Sequence, residues 1–247
     1  MFRVVALSKS FGALQAVQDL YLDVPANSVT SIIGPNGAGK STVFNLISGA
    51  LTPDSGAIMF QDLDITGYPP YVINRLGVAR SFQITNIFFG LTVLENLRLA
   101  TQSSEPRRQF LRPLRRFRRP QQRASQLVAE FGLADRAEEI AGNLSHGDQR
   151  RLEIAICMAS APILLLLDEP TQGMSPTETM ETDELIKSLK RQVAILLIEH
   201  DIDLVMGVSD NVIVMHQGRK LAEGPPDEIR RNATVQDAYL GRADADT

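Results

Sequence analysis

The chain has 247 residues, 44% of them hydrophobic, and a formal net charge of −4, which is enough for one large domain or two intimate lobes around a real core. Its single cysteine, Cys157, excludes an internal disulfide framework and suits a reducing compartment. The longest strongly apolar run, APILLLL at 161–167, falls far short of the roughly 18 residues of a spanning helix, and MFRVVALSKSF lacks the h-region of a signal peptide; any membrane role is expected to run through a partner.

In chain order, RVVAL, LYLDV and SVTSII read as short strands. The last runs directly into GPNGAGKST (34–42), and TVFNLISGAL beyond it reads as a helix closed by the turn TPDSG. GPNGAGKS matches the phosphate-loop pattern G-x-x-x-x-G-K-[ST] in its required strand–loop–helix setting. Gly34, Gly37 and Gly39, with Pro35, Asn36 and Ala38 between them, let backbone amides converge on phosphate oxygens. Lys40 is expected to bridge the terminal phosphates of a bound nucleotide, Ser41 to ligate Mg²⁺ and Thr42 to add a phosphate contact.

GAIMFQDLDI supplies a further strand region, and LGVARSFQ leads from a strand into a loop. From LTVLENLRLA the texture becomes helical. Eight of the 25 basic residues then fall between Arg107 and Arg123 without an Asp or Glu, leaving 17 basic against 29 acidic residues elsewhere. This island suits anionic headgroups or nucleic acid, or else a solvated insert packed by Phe110, Leu114 and Phe117 at helical spacing. Pro113 and Pro120 interrupt any single long helix there. ASQLVAEFGL and a segment opening near Ser145 continue the helical texture.

LSHGDQRRLEIA (144–155) itself looks like a second phosphate-binding helix start. Beyond Pro162 strands and helices alternate again: ILLLLDEP, a helix over TETMETDELIKSLK, then VAILLIEHD. NVIVMHQGRKLAEG reads as a hairpin turning at Gln217-Gly218. The unbroken aliphatic runs suit parallel strands buried on both faces. ILLLLDEP sets two carboxylates at the end of such a strand, Asp168 to hold the metal and Glu169 to polarise an attacking water. The fold class is α/β, with a helical segment inserted in sequence.

These motifs, in this order from end to end, resemble the ATP-binding-cassette (ABC) ATPases. The resemblance implies one ABC ATPase domain over 1–247: a phosphate-loop core with an N-terminal antiparallel β-subdomain (core about 1–90 and 160–247) and an α-helical subdomain over about 91–159. LSHGD resembles the family signature LSGGQ, which implies that Ser145 and Gly147 serve the ATP held by a second ABC subunit, identical or merely similar. Gln83, in ARSFQ, matches the glutamine loop that contacts Mg²⁺ or the attacking water. His200, in LLIEHD, matches the switch histidine on the terminal phosphate, and Phe11, in SKSFG, the aromatic that stacks on adenine. GMSP (173–176) occupies the loop that couples the two sites. His146 and Asp148 depart from the usual Gly and Gln of the signature, and Ser175 stands where Asp is common.

RRLEIAICMA, IEHDIDLVMGVSDNVIVMHQGRKLAEG and AYLG look most like the ATPase subunits of branched-chain amino acid importers. That branch implies transmembrane permease subunits, indirectly a solute-binding protein, and a peripheral position on the cytoplasmic face of the inner membrane. Relatives that import urea or amides or extract lipopolysaccharide stay open, because solute identity resides in the other subunits. Against a soluble ABC protein acting on nucleic acid, no heptad run separates Lys40 from Ser145 and only one cassette is present. Against a module that binds ATP without turnover stand Glu169 and His200.

Overall fold

The computed structural model describes residues 1–81, 87–102 and 118–240. Its strands are β1 (Phe2–Phe11), β2 (Leu14–Val24), β3 (Val29–Ile33), β4 (Ser55–Phe60), β5 (Leu63–Asp64), β6 (Val78–Arg80), β7 (Leu164–Asp168), β8 (Ala194–Ile198), β9 (Asn211–His216) and β10 (Arg219–Gly224). Between and after them run α1 (Lys40–Ile47), α2 (Pro70–Leu76), α3 (Val93–Gln102), α4 (Arg118–Glu130), α5 (His146–Met158), α6 (Pro176–Leu189), α7 (Ile202–Val208), α8 (Pro226–Arg231) and α9 (Ala233–Leu240). None of the described helices is long and apolar enough to cross a membrane.

The strands form two sheets. One is antiparallel in the order β2-β1-β4-β5; the other has the order β10-β9-β3-β8-β7-β6 and is parallel except for β10 at its edge. Every residue of β3, β7 and β8 is buried, as expected of strands covered on both faces. Their side chains divide by the period of two. Leu164, Leu166, Leu196 and Ile198 join a core with α1 and the antiparallel sheet, whereas Leu165, Leu167, Ile195 and Leu197 join one with α3 to α7. A third, smaller cluster seats α8 and α9 on β9 through Val212, Val214, Ile229 and Val235.

The register places the chemistry. Ile32 of β3 and Asp168 of β7 both pair with Ile198 of β8, so the segments beginning at Gly34, Asp168 and Glu199 leave the sheet at one edge. That is the carboxyl edge, where open α/β sheets bind ligands.

Most elements follow the sequence reading, including the hairpin turn, where Gln217 and Gly218 both have positive φ (50° and 78°), as a tight two-residue hairpin turn requires. The sequence pattern announces none of α2, α7, α8 and α9. The Pro225-Pro226 pair looks like a breaker in sequence, yet Pro226 occupies the first turn of α8, where its missing N–H has no partner to lose. The short α7 is capped by Asp201, whose carboxylate accepts from the Leu204 N–H at 3.1 Å.

Leu165 is fully buried between β7 and the helical layer. Leu165→Ala is expected to cost about 2–5 kcal/mol by cavity formation, read as a lower urea midpoint with an unchanged slope. A loss below about 0.5 kcal/mol, the range of exposed positions, would show that this face of the strand is not sealed.

Candidate active site

The glycine loop 34–39 is shaped by close approach. A Cβ on Gly34 would lie 2.2 Å from the Met215 carbonyl oxygen, and one on Gly39, whose φ is +100°, would lie 2.2 Å from the Ala16 carbonyl oxygen. α1 then starts without a side-chain cap and without an acidic residue in its first turn, so its amide end stays positive and open to an anion. The Lys40 ammonium folds back over the loop, donating to the Gly34 and Pro35 carbonyls at 2.7 and 3.1 Å. Burial holds its pKa below the ordinary lysine value, against the opposing pull of Glu169 and Asp168.

Above the loop opens a cleft of about 780 Å³. Residues Asn36 to Thr42 form its floor, Phe11 and Leu14 of the β1–β2 hairpin its mouth, and Glu169 and His200 one wall. Phe11 is 47% exposed and has the Lys9 ammonium 5.7 Å from its ring centroid. His200 Nε2 and Glu169 Oε1 are 2.6 Å apart. Glu169 has a φ of +47°, a strained backbone for a residue with a side chain and a feature that clusters at functional sites.

Three charged side chains hold this wall in place. Arg150 of α5 donates to three successive backbone carbonyls, those of Asp168 (2.6 Å), Glu169 (3.1 Å) and Pro170 (3.3 Å), and pairs with the buried Glu153. Glu199, 4% exposed, accepts from the Thr171 N–H and hydroxyl through Oε1 and from the His200 N–H through Oε2. Arg80 pairs with Asp168 Oδ2 at 3.0 Å. Burial raises the Asp168 pKa, and the Arg80 hydrogen bond and charge work against that rise. Asp168 Oδ1 is buried with no hydrogen-bond partner among the described residues.

Ser145 caps α5, its hydroxyl accepting from the Asp148 N–H at 3.1 Å. Neither Ser145 nor Gly147 lines the cleft over the glycine loop of the same chain. The charge of Asp148 is offset by Arg136, 3.3 Å away. The Gly147 N–H donates to Glu178 Oε1 at 3.1 Å, and a Cβ at Gly147 would meet that oxygen at 2.7 Å. Ser175 caps α6 in a reciprocal box with Glu178, so the residue that departs from the family loop has a local helix-starting role. Gln83 and residues 107–117 of the basic island lie outside the described residues, whereas the rest of the island, 118–123, opens α4.

A family model described as ABC transporter matches residues 17–172. The chain belongs to the ATP-binding cassette family of transporter ATPases. A second model, described as branched-chain amino acid ATP-binding cassette transporter, matches residues 219–245. The cassette is 45% identical to the high-affinity branched-chain amino acid transport ATP-binding protein LivG of Escherichia coli K12, over 98% of both chains. It is 43% identical to BraF of Pseudomonas aeruginosa, which bears the same description, again over 98% of both. The crystal structure of MJ1267, an ATP-binding cassette of an ABC transporter in its ADP conformation, superposes with a TM-score of 0.87 at 28% identity over 98% of each chain.

In this ABC ATPase the sequence motifs do not single out Arg80, Arg150, Glu199 or Glu178. Arg80 and Glu199 stand inside the quoted strings ARSFQ and LLIEHD, and their signal is a charge at the end of an otherwise apolar strand. Arg150 and Glu178 carried no such signal, since an arginine or glutamate on a helix is usually solvated. Removing Arg150 takes a guanidinium partner from the buried Glu153 carboxylate and frees three carbonyls, so Arg150→Ala is expected to cost about 3–5 kcal/mol in chemical unfolding. Adding Glu153→Ala should recover part of that loss. Strict additivity of the two substitutions would show that they do not act as a pair.

Proposed function

We propose that this chain is the ATP-hydrolysing subunit of an importer for branched-chain amino acids or closely related small solutes. It would sit as a peripheral subunit on the cytoplasmic face of the inner membrane, beneath transmembrane permease subunits supplied by a solute-binding protein. The observation that carries the importer reading is the end-to-end likeness to LivG and BraF, which includes the C-terminal segment. We also take residues of about 91–159 as the α-helical subdomain set upon the core.

The site residues receive roles on this reading. Phe11 stacks on adenine. Amides of residues 34–42, including those of Pro35's neighbours Gly34 and Asn36, and of Gly37, Ala38 and Gly39, converge with Thr42 on the phosphates. Lys40 transfers its ammonium from its own loop carbonyls to phosphate oxygens. Ser41, Asp168 and, by motif, Gln83 would hold Mg²⁺; the buried and unpartnered Asp168 Oδ1 supports that fit. When bound, the ion neutralises charge on the phosphate oxygens. Glu169 orients and polarises water, and His200, within hydrogen-bond distance of it, holds the terminal phosphate. Ser145 and Gly147, absent from the cleft of their own chain, act on the nucleotide of a second ABC subunit facing this one. The rate gain then comes from positioning and fixed dipoles around the phosphoryl group.

Glu169→Gln keeps the shape of the wall and removes the basic oxygen. Turnover is expected to fall about 10²–10⁴-fold, with fluorescent-nucleotide affinity changed only severalfold and with a larger ATP-dependent dimer fraction on size exclusion. Hydrolysis at the unaltered rate would refute the role of Glu169.

A further inference from the structure

We propose that Arg80 is a positioning residue for the metal-holding carboxylate of Asp168: it ties that carboxylate to the helix of the phosphate loop and leaves one oxygen for the cation. The proposal rests on the reading of Asp168 as a Mg²⁺ ligand.

Arg80 ends the edge strand β6 and its side chain is 10% exposed. The guanidinium lies over the Phe44 ring, 5.6 Å from its centroid. One terminal nitrogen donates to Asn45 Oδ1 at 2.7 Å and to Ser48 Oγ at 2.9 Å, both on or capping α1; the other donates to Asp168 Oδ2 at 3.0 Å. One planar group thus spans β6, α1 and β7. Lysine has a single point of charge and cannot hold this fork. The next residue reinforces the grip, because the fully buried Ser81 hydroxyl accepts from the Asp168 N–H at 3.4 Å.

The division of labour between the two carboxylate oxygens carries the inference. Oδ2 is committed to Arg80, whereas Oδ1 is equally buried and has no partner among the described residues. A buried carboxylate needs a compensating charge and fixed geometry, and ligating carboxylates are in turn oriented by hydrogen bonds behind them. Because Arg80 also grips the helix that begins at Lys40 and Ser41, two of the proposed protein ligands of the ion, Ser41 and Asp168, are referenced to one rigid group. A buried ion pair that served stability alone would not need to touch α1.

The test separates metal binding from nucleotide binding in the full-length chain. Trinitrophenyl-ATP titrations are run in EDTA and across a Mg²⁺ series, with Mn²⁺ electron paramagnetic resonance reporting the bound cation. For Arg80→Gln the Mg²⁺ concentration for half-maximal effect is expected to rise about 10–100-fold, while affinity in EDTA stays within about twofold; Arg80→Lys should fall between Gln and the unaltered chain. If Arg80→Gln does not fold, Asn45→Ala with Ser48→Ala loosens the same guanidinium without exposing Asp168, and a smaller shift in the same direction is expected. Equal losses with and without Mg²⁺, an unchanged Mg²⁺ response, or a tighter one, which would make Arg80 a competitor of the ion, each overturn the proposal. Absence of any Mg²⁺ effect in the unaltered chain would instead sink the reading of Asp168 itself.

Discussion

The parallel register of three fully buried strands governs this molecule. β3, β8 and β7 are buried over their whole length, and a slip of one residue would exchange the two cores that their alternate side chains feed. Hydrophobic burial on both faces therefore fixes the strands to the residue. The polar groups that follow them inherit that accuracy without contributing to it. The phosphate loop precedes the Asp168–Glu169 pair and His200 by more than a hundred residues, yet all three leave the sheet side by side because Ile32, Ile198 and Asp168 stand in register.

A sheet edge aligns backbones but does not aim side chains, and the charged groups at this edge are buried enough to need partners of their own. Arg150 binds the backbone after Asp168, Glu199 joins the starts of two loops through Thr171 and His200, and Arg80 pairs with the Asp168 carboxylate. These contacts lie beneath the cleft. They combine charge with hydrogen bonding in surroundings of low polarity, where an unpaired group would be costly.

What could be read in the sequence reflects this division. ILLLL and AILLI announce buried strands because uniform aliphatic runs of five residues bounded by polar segments are too short for a buried helix, and GPNGAGKST announces its loop because its glycines answer to specific carbonyls, Met215 and Ala16. The hairpin at Gln217-Gly218 was legible from turn chemistry. The short helices α2, α7, α8 and α9 were not, since six to eight residues carry too little periodicity to stand out. In the candidate site, Glu169 and His200 were visible as residue types, but their approach to 2.6 Å and the positive φ of Glu169 depend on contacts between distant segments. Arg150 was hidden for the same reason: nothing local distinguishes it from the neighbouring Arg151, which pairs at the surface with Glu181.

The grip of Arg150 also has a mechanical meaning. α5 and the loop after β7 are joined there by a guanidinium fork, across donor–acceptor gaps of 2.6 to 3.3 Å. Such bonds weaken steeply once stretched or bent. Sliding α5 along its axis must either drag the backbone of Glu169 with it or release the fork altogether. The heading of the helix that opens at Ser145 and the bearing of the Glu169 carboxylate are therefore one degree of freedom rather than two.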